Sequence, residues 1–307
     1  MKLLCTGDWH IREKRPRSRT DESYVDTIFE KLDFIFRMSR EYNARILQAG
    51  DVVDSVDCSF KLLGRLYTTL SNRSGGDVYH CLGQHDLYYH SLANYEKSPV
   101  FFLNEAIADF QLLLNDNAEY LGKNASVYSA SFGESIPNIP REGDFNILVT
   151  HRMVIDSKLW HDQTDYEYGP NLLKENKFDL IVCGDNHQQF VHRLKDGRTL
   201  INPGSLMRSS TSQIDHEPAI YIFDTDTRDY ERIPIPVKPA EKVFRIDQIE
   251  KEKEMSDEMD KFISELKGMK FQTTDYPKSI NDFCEENEIE KKVKKRIQGY
   301  FKWVSKS

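Results

Sequence analysis

Short apolar runs that end in polar residues recur from residue 2 to residue 187 of the chain. Each run is followed at once by an Asp, a His or an amide that can bind a metal. The runs occupy residues 2–6, 44–47, 78–81, 145–149 and 180–183. Their length and composition are typical of strands. Ligands of open α/β sheets bind just outside the carboxyl ends of the strands, so we expect these polar residues to converge on one crevice.

Helical patterns separate the early runs. After Asp21, which we expect to cap a helix, apolar residues recur with a 3.6-residue period through Phe36. Residues 59–72 predict the next helix. A β-α-β-α beginning of this kind indicates parallel strands joined by right-handed crossovers.

The second half of the pattern predicts more strands than helices. Strands are expected at 118–122, 126–132, 145–150, 179–183, 190–194, 199–202 and 219–223. A short helix is expected at 170–176, and residues 195–198 predict a hairpin turn. Residues 233–239 are a proline-punctuated strand or linker. The fold class that follows is α/β, a mixed β-sandwich flanked by helices.

The composition shifts to Glu and Lys from about residue 240 onward. Residues 248–267 have apolar side chains at helical spacing, and residues 280–304 predict two more short helices. We therefore expect a catalytic domain over 1–237 and a helical carboxyl-terminal module over 238–307.

Charge and cysteine usage narrow the class of protein. The formal charge of −8 argues against attraction of the whole surface to nucleic acid, but it permits a local basic groove. A basic segment follows the first polar strand end, and phosphate contact and a solvated loop are equally good interpretations of it. Its basic residues are Arg12, Lys14, Arg15, Arg17 and Arg19. The five cysteines contain no CxxC pair, which indicates a reducing, cytoplasmic setting. No apolar run approaches membrane-spanning length.

The polar strand ends form an ordered set of motifs. They are Gly7-Asp8-Trp9-His10, Gly50-Asp51-Val52-Val53-Asp54, Gly83-Gln84-His85-Asp86, Thr150-His151 and Gly184-Asp185-Asn186-His187. In this order the motifs resemble those of the calcineurin-like metallophosphoesterases. The Trp between the first two ligands and the overall length are most similar to the SbcD-type DNA repair nucleases, including their phage-encoded relatives.

The resemblance implies two divalent ions that share one carboxylate, Asp51. The first ion would bind Asp8, His10, Asp51 and His187. The second would bind Asp51, Gln84, His151 and Asp185. Mixed imidazole and carboxylate ligands favour Mn²⁺, with Fe²⁺, Zn²⁺ or Mg²⁺ as alternatives.

Two positions differ from the family pattern, and both belong to the second ion. Gln84 replaces an Asn, and Asp185 replaces the first His of Gly-His-x-His, which makes the site more negative.

The resemblance also implies that His85 contacts the scissile phosphate and protonates the leaving oxygen, while Asp86 orients the His85 ring. An active dinuclear site is the first expectation, and a weakened or mononuclear site is the alternative.

The function implied is metal-dependent cleavage of DNA, as an exonuclease and perhaps an endonuclease, in repair, recombination or replication. An SbcC-like ATPase of the SMC type would be the partner, and a homodimer is left open. Two other functions fit the same motifs. The first is a phosphatase or small-nucleotide phosphodiesterase, because the same metal core serves both. The second is a catalytically weak scaffold that binds DNA or the ATPase.

Overall fold

The computed structural model describes residues 1–73, 75–114, 118–137, 144–159 and 163–245, together with residues 284, 285 and 295. The chain divides into two compact units, Met1–Phe244 and Arg245–Ser307. In the first unit, the helices are α1 (Tyr24–Tyr42), α2 (Phe60–Ser71), α3 (Pro99–Ala106) and α4 (Gly169–Glu175). The predicted helices over 248–267 and 280–304 lie outside the described residues, apart from single positions.

The first sheet has six strands in the order β14-β13-β1-β2-β3-β4. These strands are β1 (Lys2–Thr6), β2 (Ala44–Gln48), β3 (Val78–His80), β4 (Phe110–Leu112), β13 (Ala219–Asp224) and β14 (Tyr230–Pro234). β1 to β4 are mutually parallel, whereas β13 runs antiparallel to β1 and to β14. Pro234 ends β14 at the sheet edge, where a missing N–H is tolerated.

The second sheet also has six strands, in the order β11-β12-β10-β7-β6-β5. They are β5 (Glu119–Gly122), β6 (Ala125–Ala130), β7 (Phe145–Arg152), β10 (Leu180–Asp185), β11 (Phe190–Arg193) and β12 (Thr199–Asn202). A two-stranded sheet, β8 (Val154–Ile155) with β9 (Glu167–Tyr168), completes the strands of the described part. The predicted hairpin turn joins β11 to β12, which are antiparallel.

Successive side chains of a strand point to opposite faces of its sheet, and this alternation explains how the two sheets and the helices pack in layers. Leu3 and Cys5 of β1 pack in one cluster with Val149 and Val182 of the second sheet, so the two sheets share a core. Leu4, between them in sequence, belongs to the cluster that contains the apolar side of α1. The outer side of the second sheet packs on α4. This arrangement confirms the predicted mixed sandwich flanked by helices.

The helix boundaries follow the sequence closely, but one predicted cap is wrong. Ser59 caps α2, and its hydroxyl accepts a hydrogen bond from the Leu62 N–H at 3.2 Å. The residue before α1 is Ser23, which makes no side-chain capping bond. Asp21 instead holds its carboxylate against the Arg19 guanidinium at 2.8 Å. The Asp21 carboxylate therefore pairs with Arg19 and does not cap α1.

No helix in the described part of the chain is both long and apolar enough to cross a membrane.

Candidate metal centre

The carboxyl ends of five strands, β1, β2, β3, β7 and β10, bring the predicted ligands to one place. β1 and β2 pair in parallel, so Asp8 and Asp51 follow neighbouring strand ends. In the second sheet, β7 and β10 pair in parallel and place His151 opposite Gly184, directly before Asp185. The two sheets meet where the Asp185 N–H donates to Oδ1 of Asp8 at 3.1 Å. Ligands from both sheets therefore face one site.

The backbone at these strand ends is strained. Four predicted ligands have φ in the left-handed region: Asp8 (45°), His10 (44°), Asp51 (52°) and Asp185 (81°). Such values are uncommon outside glycine and cluster at functional sites. Gly50 has φ of 85°, and a Cβ there would lie 2.4 Å from Nδ1 of His151. The strand ends are therefore shaped so that ligands approach closely.

His10 and His187 point their ring nitrogens at each other. Their Nε2 atoms lie 3.1 Å apart. One ligand atom from each of Asp8, His10 and His187 falls within 4.8 Å of the others. Together with Asp51, these are the residues predicted to bind the first ion.

Asp51 lies at the centre of the group. Its Oδ2 is 3.4 Å from Nε2 of His151, 3.6 Å from Nε2 of His10 and 4.0 Å from Nε2 of His85. Its Oδ1 accepts a hydrogen bond from the His85 N–H at 2.9 Å. One oxygen thus fixes the backbone, and the other faces three imidazoles, as a bridging carboxylate would require.

Buried ligand atoms without hydrogen-bond partners among the described residues concentrate at this site. They are Asp8 Oδ2, His10 Nδ1, Asp51 Oδ2, Gln84 Oε1 and His151 Nε2. Each buried polar atom left unpaired costs about 1–3 kcal/mol. Carboxylate oxygens and imidazole nitrogens are donors that bind divalent transition metals. The residues present therefore fit the metal ions that the motifs imply.

Burial sets the protonation of the first ion's ligands. It raises the pKa of Asp8 to about 6, although the nearby His187 and His151 oppose the rise. It lowers the pKa of His10 to about 3, and the charge of Asp51 offsets this only in part. His10 is therefore held as the neutral imidazole that metal binding needs.

His151 and Asp51 behave as an ion pair when no other cation is present. Burial alone would lower the pKa of His151, but Asp51 and two further carboxylates raise it to about 10. Burial likewise opposes ionisation of Asp51, yet the charge of His151 brings its pKa below the ordinary value. Nδ1 of His151 is 2.7 Å from the Ala49 carbonyl oxygen, so Nε2 faces the carboxylates. A metal ion and a proton compete for that atom.

Gln84 and Asp185, the two departures from the family pattern, contact each other. Nε2 of Gln84 donates to Oδ1 of Asp185 at 2.7 Å, which leaves Oε1 of Gln84 available as a ligand. The same Oδ1 is 3.9 Å from Nε2 of His151. The structure brings all four predicted ligands of the second ion together, and occupancy by that ion stays a prediction.

His85 is held by a backbone carbonyl rather than by Asp86. Its Nδ1 lies 2.9 Å from the Asp54 carbonyl oxygen. The ring is 40% exposed, in contrast to the buried ligands. Nε2 is therefore the ring nitrogen that remains for a substrate.

The expected contact between Asp86 and the His85 ring does not form. Asp86 is fully buried and accepts hydrogen bonds from the N–H groups of Val52, Val53 and Gly83 at 2.9–3.3 Å. Burial and the neighbouring Asp51 raise its pKa to about 7. Because the donors lie in the turns after β2 and β3, Asp86 fixes the backbone around the site instead of orienting His85.

Asp54 makes three contacts at the edge of the metal centre. Besides its carbonyl contact with His85, its Oδ1 accepts from Nη1 of Arg12 at 3.1 Å and lies 3.7 Å from Nδ1 of His10. The repeated Asp of Gly50-Asp51-Val52-Val53-Asp54 was the sequence signal. Asp54 therefore links the basic segment to the metal centre.

The loop after β12 supports His187. The Ser205 N–H donates to the His187 carbonyl at 3.2 Å, and Nε2 of Gln213 is 3.4 Å from His187 Nδ1. Gly204 has φ of 69°, and a Cβ there would lie 2.7 Å from the His187 carbonyl oxygen. None of the sequence motifs pointed to Gln213.

The predicted DNA-binding residues divide into two groups. Lys14, Arg15 and Arg17 are exposed. Arg19 is only 4% exposed, pairs with Asp21 and donates to a backbone carbonyl. The prediction that Arg19 contacts DNA is therefore wrong. Arg12 is committed to Asp54.

The fold and the ligand set define a metal-dependent phosphoesterase. Residues 1–189 match the family model described as calcineurin-like phosphoesterase. This match covers more than half of the chain and includes every predicted metal ligand. The chain belongs to the calcineurin-like phosphoesterase family. The finer similarity to SbcD-type nucleases stays a prediction.

Several solved structures show a distant similarity to this chain. The protein TT1561 of Thermus thermophilus has 13% identity, covers 76% of this chain and 99% of its own, and gives a TM-score of 0.49. A novel archaeal phosphodiesterase has 13% identity, the same coverage and a TM-score of 0.43. Wild-type Vps29 complexed with zinc, from Entamoeba histolytica, has 13% identity, coverage of 77% and 100%, and a TM-score of 0.35. A comparison with curated protein sequences found no match.

Proposed function

We propose that the protein is a divalent-metal-dependent phosphodiesterase that cleaves DNA. The observation that carries this proposal is the group of buried ligand atoms on Asp8, Asp51 and His151, which make no hydrogen bonds with the described residues, beside the partly exposed His85. Divalent ions held by these residues would supply the activation of a water and positive charge to offset that of the phosphoryl oxygens. Mn²⁺ is the ion that we propose first.

The predicted ligands would form two groups, one for each ion. His10, held neutral by burial, and His187 would hold one ion, and Gln84, His151 and Asp185 the other. Asp51 would serve both, because its Oδ2 faces ligands of each group. The surrounding structure holds several of these ligands on a strained backbone at the strand ends, as is common at functional sites.

His85 is the proposed acid. Since its Nδ1 donates to the Asp54 carbonyl, its Nε2 is directed to the partly open side of the site. A proton carried at Nε2 would pass to the leaving oxygen, and the imidazole would contact the scissile phosphate. Asp54 is the positioning residue for this ring.

DNA is proposed as the substrate because of the exposed basic segment. Lys14, Arg15 and Arg17 lie close in sequence to His10. Lys and Arg side chains contact phosphates without regard to base sequence, and such contacts weaken as salt increases. If a charge-reversal variant of Arg15 and Arg17 kept the parent's DNA affinity and salt slope, this part of the proposal would be wrong.

The hydrogen bond between Gln84 and Asp185 favours a second candidate, a catalytically weak DNA-binding or ATPase-binding scaffold. It occupies Oδ1 of Asp185, the oxygen that lies 3.9 Å from Nε2 of His151, so this oxygen would be shared between the amide and the second ion. A phosphatase or small-nucleotide phosphodiesterase uses the same metal core and is the third candidate.

One experiment separates the three candidates. The full chain in Mn²⁺ is incubated with labelled duplex DNA, with single-stranded DNA and with bis-p-nitrophenyl phosphate. The test variant is His85→Ala, and His192→Ala on β11 is the matched control. DNA cleavage that is lost only in His85→Ala supports the nuclease. Hydrolysis of the small ester alone supports a small-substrate phosphodiesterase, and DNA binding without either reaction supports the scaffold.

We further propose that residues 238–307 dock on an SbcC-like ATPase of the SMC type. The resemblance to SbcD-type nucleases and the separate compact unit Arg245–Ser307 support this proposal. Purification of the full chain from its source cells tests it. Recovery of an SMC-like ATPase in stoichiometric amount is expected, and its absence would count against the partner.

A further inference from the structure

The turn that follows the His85 motif displays an exposed aromatic ring. Tyr89 is 91% exposed. Its φ is 54°, and that of His90 is 52°, so two consecutive residues other than glycine adopt the left-handed conformation. The left-handed conformation costs about 1–3 kcal/mol at each of these residues. Because the Tyr89 ring is exposed, its burial offsets none of this cost. A side chain held in solvent at such a cost is a candidate for contact with a ligand.

The same turn is anchored to the metal centre. Leu87 is buried, and its N–H donates to the Gln84 carbonyl at 3.3 Å. Nδ1 of His90 lies 2.9 Å from that carbonyl oxygen, and the His90 ring centroid lies 6.4 Å from that of His85. Tyr89 therefore precedes a residue whose ring adjoins the proposed acid, which puts it within reach of a substrate there.

A second exposed aromatic residue begins the helix after the Asp51 turn. Phe60 is 93% exposed at the start of α2. Ser59, directly before it, donates to the Glu13 carboxylate, and Glu13 precedes the exposed Lys14. The exposed cation Lys14 thus follows β1, and the exposed rings of Phe60 and Tyr89 follow the neighbouring strands β2 and β3.

This combination selects one class of ligand. Cations attract phosphates, and aromatic rings stack on nucleobases with about 1–3 kcal/mol per base. Inside a duplex, each base face is already covered by its neighbours. Only unpaired, terminal or extruded nucleotides present a face to a protein ring.

We infer that Tyr89 is a base-stacking residue that makes the metal centre select unpaired nucleotides. The inference rests on the proposed function and adds a substrate class to it. Tyr89 stacks on a base next to the scissile phosphate, while Phe60 offers a second platform. Neither ring takes part in the chemistry, so both are specificity residues.

Fluorescence of 2-aminopurine tests the stacking. The full chain carrying His85→Ala, which prevents cleavage, is titrated in Mn²⁺ into a single-stranded oligonucleotide that contains 2-aminopurine. Quenching is expected for this parent and for added Tyr89→Phe, and it should be lost with added Tyr89→Ala. Loss of one stacked base weakens single-strand affinity by about 5- to 150-fold, which is the equivalent of about 1–3 kcal/mol.

Tyr120→Ala is the matched control. Tyr120 is 51% exposed on β5 and pairs with Ser126, near the end of the second sheet that is opposite to His151. This variant should bind single strands as the parent does. Covalently closed circular duplex DNA, which has no terminal bases, is the second control, and Tyr89→Ala should bind it with unchanged affinity.

The results separate this inference from the proposed function. If Tyr89→Ala keeps the quenching and the single-strand affinity, or weakens duplex binding equally, the inference is overturned. Hydrolysis of bis-p-nitrophenyl phosphate by the chain with His85 intact reports the metal centre independently. A chain that hydrolyses this ester but binds no single strand retains its phosphoesterase function and loses the stacking role. Equal kcat on the ester with and without Tyr89→Ala excludes damage to the site.

Discussion

Nε2 of His10 lies 3.1 Å from Nε2 of His187, although 177 residues separate them in sequence. A hydrogen bond between two neutral rings would need a proton on one of these atoms. Burial keeps His10 neutral, and the buried Asp8 offers an unpartnered oxygen to the same trio. A metal cation coordinated by both imidazoles and by the Asp8 oxygen would give Asp8, His10 and His187 a partner at once. A single proton between the two rings would leave the Asp8 oxygen without one.

Removal of His187 should therefore weaken metal binding. Because a metal that binds only the folded state stabilises it by about 2.7 kcal/mol at 100 times the Kd, saturating Mn²⁺ should raise the Tm of the parent clearly. We expect His187→Ala to show a much smaller rise. Thermal unfolding with Mn²⁺ and with chelator measures this, with His192→Ala as control. An equal rise in all three chains would contradict the assignment of His187.

Gln84 and Asp185 should act as a unit. Since Nε2 of Gln84 donates to Oδ1 of Asp185, removing either partner breaks the same hydrogen bond. The variants Gln84→Ala and Asp185→Ala should each lower Mn²⁺ affinity, and the double variant should lose less than the two losses combined. Residues in one hydrogen-bond network couple by about 0.5–3 kcal/mol. Calorimetric titration with Mn²⁺ gives the cycle, and strict additivity would show that the contact does not matter for the ion.

The sequence predicted the parts of this protein that depend on local pattern. Apolar runs predicted the strands, helical spacing predicted α1 and α2, and five strand ends predicted that residues such as Asp51 and His151 would lie close together. They do so because a parallel strand carries its end residues to the sheet edge whatever the rest of the chain does. That these residues bind metal stays a prediction.

The contacts that the sequence did not predict depend on which groups meet in three dimensions. Asp86 follows His85 directly, yet three N–H groups from two turns attract its carboxylate. Arg19 belongs to a run of basic residues, yet Asp21 and a backbone carbonyl hold it in the interior. A side chain's nearest partner in sequence is not its nearest partner in space, and spacing alone does not reveal the difference.

Lys31 should make stability depend on pH. Burial lowers its pKa to about 7 from an ordinary value of 10.5, and its Nζ donates to the Leu206 carbonyl at 2.7 Å. Between these two values the unfolded chain binds a proton that the folded chain lacks, so the contribution of Lys31 to stability increases with pH from about 7 to about 10. Below pH 7 both states carry the proton and the full cost of burying the charge applies.

The comparison of the parent with Lys31→Met isolates this effect from other titrating groups. The difference in free energy of unfolding, parent minus variant, should rise by about 1.4 kcal/mol per pH unit across the middle of that range. Urea denaturation at pH 7, 8 and 9 in the presence of chelator measures it. Parallel curves for the two chains would mean that Lys31 keeps an ordinary pKa in the folded protein.

Gly50→Ala tests whether the close approach of the two sheets builds the metal centre. The new Cβ would lie 2.4 Å from Nδ1 of His151 and would sit on a residue with φ of 85°. The backbone strain alone costs about 1–3 kcal/mol, and relief of the clash requires His151 to leave the Ala49 carbonyl. Gly64→Ala in α2 is the matched control, because a Cβ there meets nothing within 4 Å, and a helix gains about 0.5–1 kcal/mol from the same change. Urea denaturation should therefore show opposite signs for the two variants, and only Gly50→Ala should also lose Mn²⁺ affinity. If Gly50→Ala is destabilised but binds Mn²⁺ as the parent does, His151 does not ligate the ion, since its ring has to move to admit the methyl group.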